Sequence, residues 1–71
     1  MNLYLLTTDW QGYDTIDGFV IAASGEHEAR VVASENHADE GFEIWLEEAD
    51  CEHVGTTDRD AGIVLRAFNA G

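Results

Sequence analysis

The 71-residue chain contains no proline and no lysine, a single cysteine, and three arginines that must balance fifteen acids. Each scarcity excludes something. Without proline, a low-complexity tract or an internal repeat, nothing marks a linker, and the length suits one domain over residues 1–71. The lone Cys51 leaves no intrachain disulfide framework and points to a reducing, cytoplasmic setting. Long apolar runs are missing too. Leu3-Tyr4-Leu5-Leu6 has no basic flank and is too short for a signal-peptide core or a membrane span. Arg30, Arg59 and Arg66 are too scattered to form the basic stripe that direct nucleic-acid binding requires.

What is present is acid. The formal net charge is −12, while a 45% apolar content still supports a folded core. Such a chain repels nucleic acid and anionic membranes, and attracts basic protein surfaces over a Debye length of about 8–10 Å. Dense carboxylates without lysine also characterise proteins adapted to high salt, where hydration is their only role. Recognition and solvation both remain open on composition alone.

The hydrophobic pattern predicts an α+β domain of order β-β-α-β-β, an antiparallel sheet with one helix packed on one face. Residues 2–8 read as a first strand, and Asp9 to Asp17, with Gly12, Asp14 and Asp17, as a loop. Phe19 to Ala23 reads as a second, centrally placed strand. Ser24 is expected to cap a helix through its hydroxyl, with Glu26 and Glu28 favoured by the dipole of the first turn. Ala29, Val32 and Ala33 supply that helix's narrow apolar stripe, His37 lies near its C-terminal end, and Gly41 ends the segment. From Glu48 to His53 the residues alternate, which predicts a third strand over 49–56. Glu48, Asp50 and Glu52 would share its acidic face, backed by Ala49, Cys51 and His53. Residues 57–62 have turn chemistry. Residues 63–69 predict a last strand, with Ile63, Leu65 and Ala67 on one face and Val64, Arg66 and Phe68 on the other.

Three groups of residues carry a likeness along nearly the whole chain: Tyr13-Asp14-Thr15-x-Asp17; Ala23-Ser24-x-Glu26-x-Glu28-Ala29-Arg30, with Trp45 fifteen residues later; and the terminal Ala67-Phe68-Asn69-Ala70-Gly71. In these the chain resembles a family of small phage and prophage accessory proteins of the anti-CRISPR type. The resemblance implies a phage-type accessory role and a fold; it implies no activity. The chain departs from that family in lacking lysine and in its excess of acid between residues 39 and 60.

Catalytic and metal chemistry find little support. Cys51 and His53 share a strand face, but His27 and His37, ten residues apart, lie roughly 15 Å from each other along a helix axis. Asp58-x-Asp60-x-Gly62 resembles the start of a calcium loop, yet its glycine comes one position early and the twelfth position is Asn69. No Gly-rich phosphate cradle or nucleophile–base motif is present, and Asp14 and Asp17 suit backbone-binding turn residues better than an acid–base pair. No enzyme, metal or cofactor is expected.

Protein recognition remains. Nine acids (Asp39, Glu40, Glu43, Glu47, Glu48, Asp50, Glu52, Asp58 and Asp60) fall within 22 residues, opposed only by Arg59. Alternate carboxylates on a strand repeat every ~6.6 Å, a coarser version of the phosphate line along a nucleic-acid strand. The partner expected is therefore the basic surface of a host nucleic-acid-binding protein, a host defence complex of the CRISPR kind being the natural example. The chain itself would be a monomer or weak homodimer. The candidate contact residues are Glu43, Trp45, Glu47, Glu48, Asp50, Glu52, Asp58 and Asp60. Trp45 has two available roles, an apolar plug beneath the acidic segment or an aromatic anchor at the interface. The competing reading is a structural accessory domain whose acids serve solvation alone.

Overall fold

In the computed structural model, residues 1–9 and 14–69 are described. Residues 10–13 and 70–71, which include part of the loop expected after the first strand and Tyr13, Ala70 and Gly71 of the resemblance, lie outside them. Four strands form one antiparallel sheet: β1 (Asn2–Thr7), β2 (Thr15–Ala23), β3 (Asp50–Thr56) and β4 (Gly62–Asn69), in spatial order β3-β1-β2-β4. Among the described residues, one α-helix, α1 (Glu26–Glu35), packs on one face, and one π-helical turn, Ile44–Glu48, precedes β3. The expected α+β order is present.

The hairpin of β1 and β2 forms the centre of the sheet, with Leu6 opposite Phe19 and Tyr4 opposite Ile21. Those four residues point toward α1 and are buried, with Leu6 and Ile21 fully so. β2 starts at Thr15, four residues before the apolar run suggests. Asp17 and Gly18, which look like turn residues, sit inside the strand at a bulge, and Asp17 is the extra residue. Gly18 suits that position because a Cβ there would come within 3.0 Å of the Leu6 carbonyl oxygen. β2 and β3 run parallel with β1 between them, so α1 carries the chain back across the sheet.

The start of α1 differs from the expected cap. Gly25 is the N-cap, and the Ser24 hydroxyl donates to Glu28 Oε2 (3.3 Å) while its amide donates to Glu28 Oε1 (2.9 Å). Glu28 thus reaches back as in one half of a capping box, shifted by one residue. The helix stops at Glu35, before His37 and Gly41. Asn36 closes it, donating from its amide to Ala33 (3.0 Å) and from its side chain to Val32 (2.8 Å). Ala29 and Ala33 bury the expected stripe completely against the sheet, with Val32 beside them.

β4 departs from simple alternation. Ile63 pairs with Ile21 and Leu65 with Val20, so the two lie on opposite faces, with Val64 as the bulged residue between them. Ile63 packs under the helix, whereas Leu65 stands 64% exposed on the helix-free face. β3 has its own bulge at Val54. Both edge strands are therefore interrupted and carry charge, two devices that blunt edge-to-edge pairing. Among the described residues, no helix is long and apolar enough to cross a membrane.

Candidate functional site

The residues from Asp39 to Asp50 hold the most unusual chemistry in the molecule, and they separate into an interior half and an exterior half. Inside, Trp45 is fully buried, with its ring edge on Phe19 at a centroid distance of 4.9 Å and an interplanar angle of 79°. Of its two available roles, Trp45 takes the plug. Its indole N–H donates to Glu40 Oε2 at 2.7 Å. The same oxygen accepts from the Ala38 amide (3.0 Å), and Glu40 Oε1 accepts from the Ile16 amide (3.0 Å) at the start of β2. Glu40 reads as one more surface acid in the sequence, but it is 8% exposed. Burial alone would push its carboxyl up; the Trp45, Ala38 and Ile16 donors outweigh this and hold it below the ordinary carboxylate value. Three donors converging on one carboxylate fasten the π turn, the loop after α1 and β2 together.

The π turn follows from this fastening. The Ala49 amide reaches back five residues to the Ile44 carbonyl (2.7 Å), widening the turn so that Trp45 faces inward. Arg30 of α1 donates to the Trp45 carbonyl (3.2 Å) and to Glu26 Oε2 (2.9 Å), so this cation is already engaged. The aliphatic residues Ile44 and Leu46 are half-buried, while Glu43, Glu47 and Glu48 point to solvent.

Outside, the sheet register sorts the acids. Asp50 lies opposite Thr7, which lies opposite Gly18, and Asp17 is the bulged residue beside it. Asp9 follows β1 and lines a shallow depression with Thr8, Ile44 and Glu48; Glu43 and Glu48 line the neighbouring one with Phe42. The Asp39 amide donates to the Asp14 carbonyl (3.0 Å), which brings those two acids to the same end. Asp14 itself has φ 56°, a left-handed conformation that aspartate tolerates better than most residues. Exposed Asp9, Asp14, Asp17, Asp39, Glu43, Glu48 and Asp50, from two separate stretches of chain, thus gather where β1 ends and β2 and β3 begin.

Glu52 sits on β3 opposite Leu5, about 6.6 Å along the strand from Asp50 and on the same face. Glu48 precedes the strand on the π turn, so the expected three-carboxylate row has two members on β3. Asp58 and Asp60 lie beyond the far end of β3, roughly 20 Å away along the strand, where Thr57 and Met1 exchange backbone hydrogen bonds. The expected run from Glu43 to Asp60 is therefore two acidic groups at opposite ends of one edge. Arg59 belongs to the far group and Arg66 to the opposite edge strand, opposite Phe19.

Cys51 and His53 share the helix-side face, as period two predicts. Cys51 packs against the core and lies opposite Leu6; the His53 ring lies 5.4 Å from that of Tyr4. Burial, then the Glu26 charge, pushes the Cys51 thiol up against the opposing pull of Arg30, which makes it a poor thiolate. Among the described residues, no group of three His, Cys, Asp or Glu side chains is placed to hold a metal ion. Asp9, Asp14 and Asp17 escaped the sequence reading of the patch because they lie in a different stretch of chain. Only the cross-strand register, which pairs Thr7 with both Gly18 and Asp50, unites them with the acids after residue 39.

No protein-family model, curated protein or solved structure matches the chain.

Proposed function

We propose that this chain is a non-catalytic recognition domain that occupies the basic surface of a nucleic-acid-handling protein by offering carboxylates in place of phosphates. The observation that carries this reading is the segregation of charge. Exposed Asp9, Asp14, Asp17, Asp39, Glu43, Glu48 and Asp50 share one end of the sheet, Glu52 extends them along β3, and Arg30, the arginine that reaches the π turn, is paired with Glu26. None of residues 10–13 and 70–71 is Asp, Glu, Lys or Arg, so the described residues hold all fifteen acids and all three arginines. Guanidinium forks that grip phosphates pair equally well with carboxylates, and association driven this way is fast and salt-sensitive. The resemblance to phage accessory proteins of the anti-CRISPR type makes a host surveillance complex the partner class to test first.

The test is competition with a labelled DNA duplex for a purified CRISPR surveillance complex, at about 0.1 M and 0.5 M salt. The chain is expected to displace DNA at the lower salt and lose most of that ability at the higher. Replacing Asp9, Asp17, Glu48, Asp50 and Glu52 together with Asn or Gln is expected to weaken displacement by more than about tenfold. Equal displacement by the native and amide chains, or none by either, would overturn the reading and leave solvation as the role of the acids.

A further inference from the structure

The face of the sheet opposite α1 has no covering element among the described residues. Its middle row runs across all four strands as Glu52, Leu5, Val20 and Leu65, and the next row as Asp50, Thr7, Gly18 and Ala67. Leu5, Thr7, Gly18, Val20, Leu65 and Ala67 enclose a shallow groove of about 270 Å³ whose surface is almost wholly apolar, with Asp17 at one end. Among the described residues, Leu65 is the most exposed large apolar side chain, at 64%.

Two features of this face define what fits it. The floor is apolar, and one side and one end are carboxylate: Glu52 and Asp50 flank Leu5 and Thr7, and Asp17 stands beside Gly18. A second copy laid on this face would bring acid against acid in a chain of net charge −12, and a phosphate-bearing surface would meet the same repulsion. A segment with apolar side chains at its centre and Arg or Lys at its ends matches floor and rim together.

We infer that the helix-free face docks such a segment, apolar at its centre and flanked by arginine or lysine, from the basic partner protein. This rests on the proposed recognition of a basic protein and adds to it the element that selects among basic partners. Carboxylates attract any cationic surface, whereas Leu5, Val20 and Leu65 reward only one that brings apolar side chains to the groove.

The probe is the peptide Arg-Arg-Leu-Ser-Leu-Ser-Leu-Arg-Arg, compared with its counterpart in which every Leu is Ser, using the native chain. Fluorescence anisotropy reads affinity, and amide and methyl NMR shifts read location. The leucine peptide is expected to bind about tenfold more tightly than the serine peptide, as burial of exposed leucine surface implies. It should shift Leu5, Thr7, Val20, Leu65 and Ala67. Leu65→Thr, a change on an exposed edge strand that keeps a good strand former, should bring the two affinities together and leave serine-peptide binding unaltered. Asp50→Asn with Glu52→Gln should weaken both peptides. Equal binding of the two peptides to the native chain, or shifts on the α1 side instead, would overturn the docking face while leaving carboxylate recognition standing. Failure of both peptides to bind at low salt would remove the two readings together. The peptide comparison on the native chain decides the question even if the Leu65 variant fails to fold.

Discussion

The two faces of the sheet are built from the same strands, yet α1 covers one and no element among the described residues covers the other. Under α1, Leu6, Phe19, Ile21, Ala23, Ala29, Ala33 and Trp45 are at most 1% exposed, and Glu40 closes the far end with its hydrogen bonds. On the other side Leu5 and Val20 are half-buried and Leu65 faces water. The difference teaches where stability and recognition are separated. A domain this small has one core, and among the described residues its buried cluster lies on the helix side. On the other face Ala22 is buried, while Leu65 and, in part, Leu5 and Val20 remain accessible to a partner.

Three substitutions sharpen that contrast, beginning with the most damaging. Trp45→Ala empties the centre of the closed face and leaves Glu40 without its strongest donor, so a loss of about 3–5 kcal/mol is expected in urea unfolding. For a domain of this size that is enough to leave the chain largely unfolded at room temperature. A fold that tolerates alanine there with less than ~1 kcal/mol lost would mean that the core does not depend on the plug.

Glu40→Gln comes next, at about 2–3 kcal/mol, because an amide replaces one acceptor with a donor where the Ile16, Ala38 and Trp45 N–H groups all point inward. The native residue also sets a pH dependence. Its folded-state carboxyl titrates below its unfolded value, so its stabilisation is fully present above the ordinary carboxylate range and is lost as pH falls through and below that range. Denaturation midpoints measured from pH 7 down to pH 3 should fall more steeply for the native chain than for the glutamine variant. Parallel curves would assign the acid sensitivity to the surface carboxylates instead.

Leu65→Thr stands at the small end. On the open face it should change stability by no more than about 0.5 kcal/mol, within the range of ordinary surface substitutions. A loss comparable to that of Glu40→Gln would mean that the two faces are not separate in the way their exposure implies.

The parts of this architecture legible in the sequence are those governed by period. β1 and β3 agree with the expected strands to within a residue, and Ala29, Val32 and Ala33 mark the buried side of α1. What escaped depends on partners distant in the chain. Asp17 and Gly18 carry turn chemistry, and only pairing with β4 and the close approach of Leu6 make them strand residues. The bulge at Val64 reverses which face Leu65 occupies, a change that no alternation rule contains. The π turn leaves no regular apolar stripe, so Phe42, Ile44, Trp45 and Leu46 do not read as helical. Glu40 was hidden most completely: nothing distinguishes it from neighbouring Asp39 except the three N–H groups that the fold aims at it.

The spatial order β3-β1-β2-β4 also sets a timetable. Only the central hairpin joins neighbours in sequence, whereas β3 pairs across about fifty residues (Asn2 with Thr56) and β4 across a similar distance (Thr15 with Asn69). Closing such long loops is the slow part of assembling a small sheet, so the outer strands dock onto a hairpin and helix already in place. As edge strands they are paired on one side only, so they are expected to open before the central hairpin. The strand bearing Asp50 and Glu52 and the strand bearing Leu65 are those two outer strands. A partner bridging them across β1 and β2 would act as a clasp, slowing the opening of the strands that recognise it.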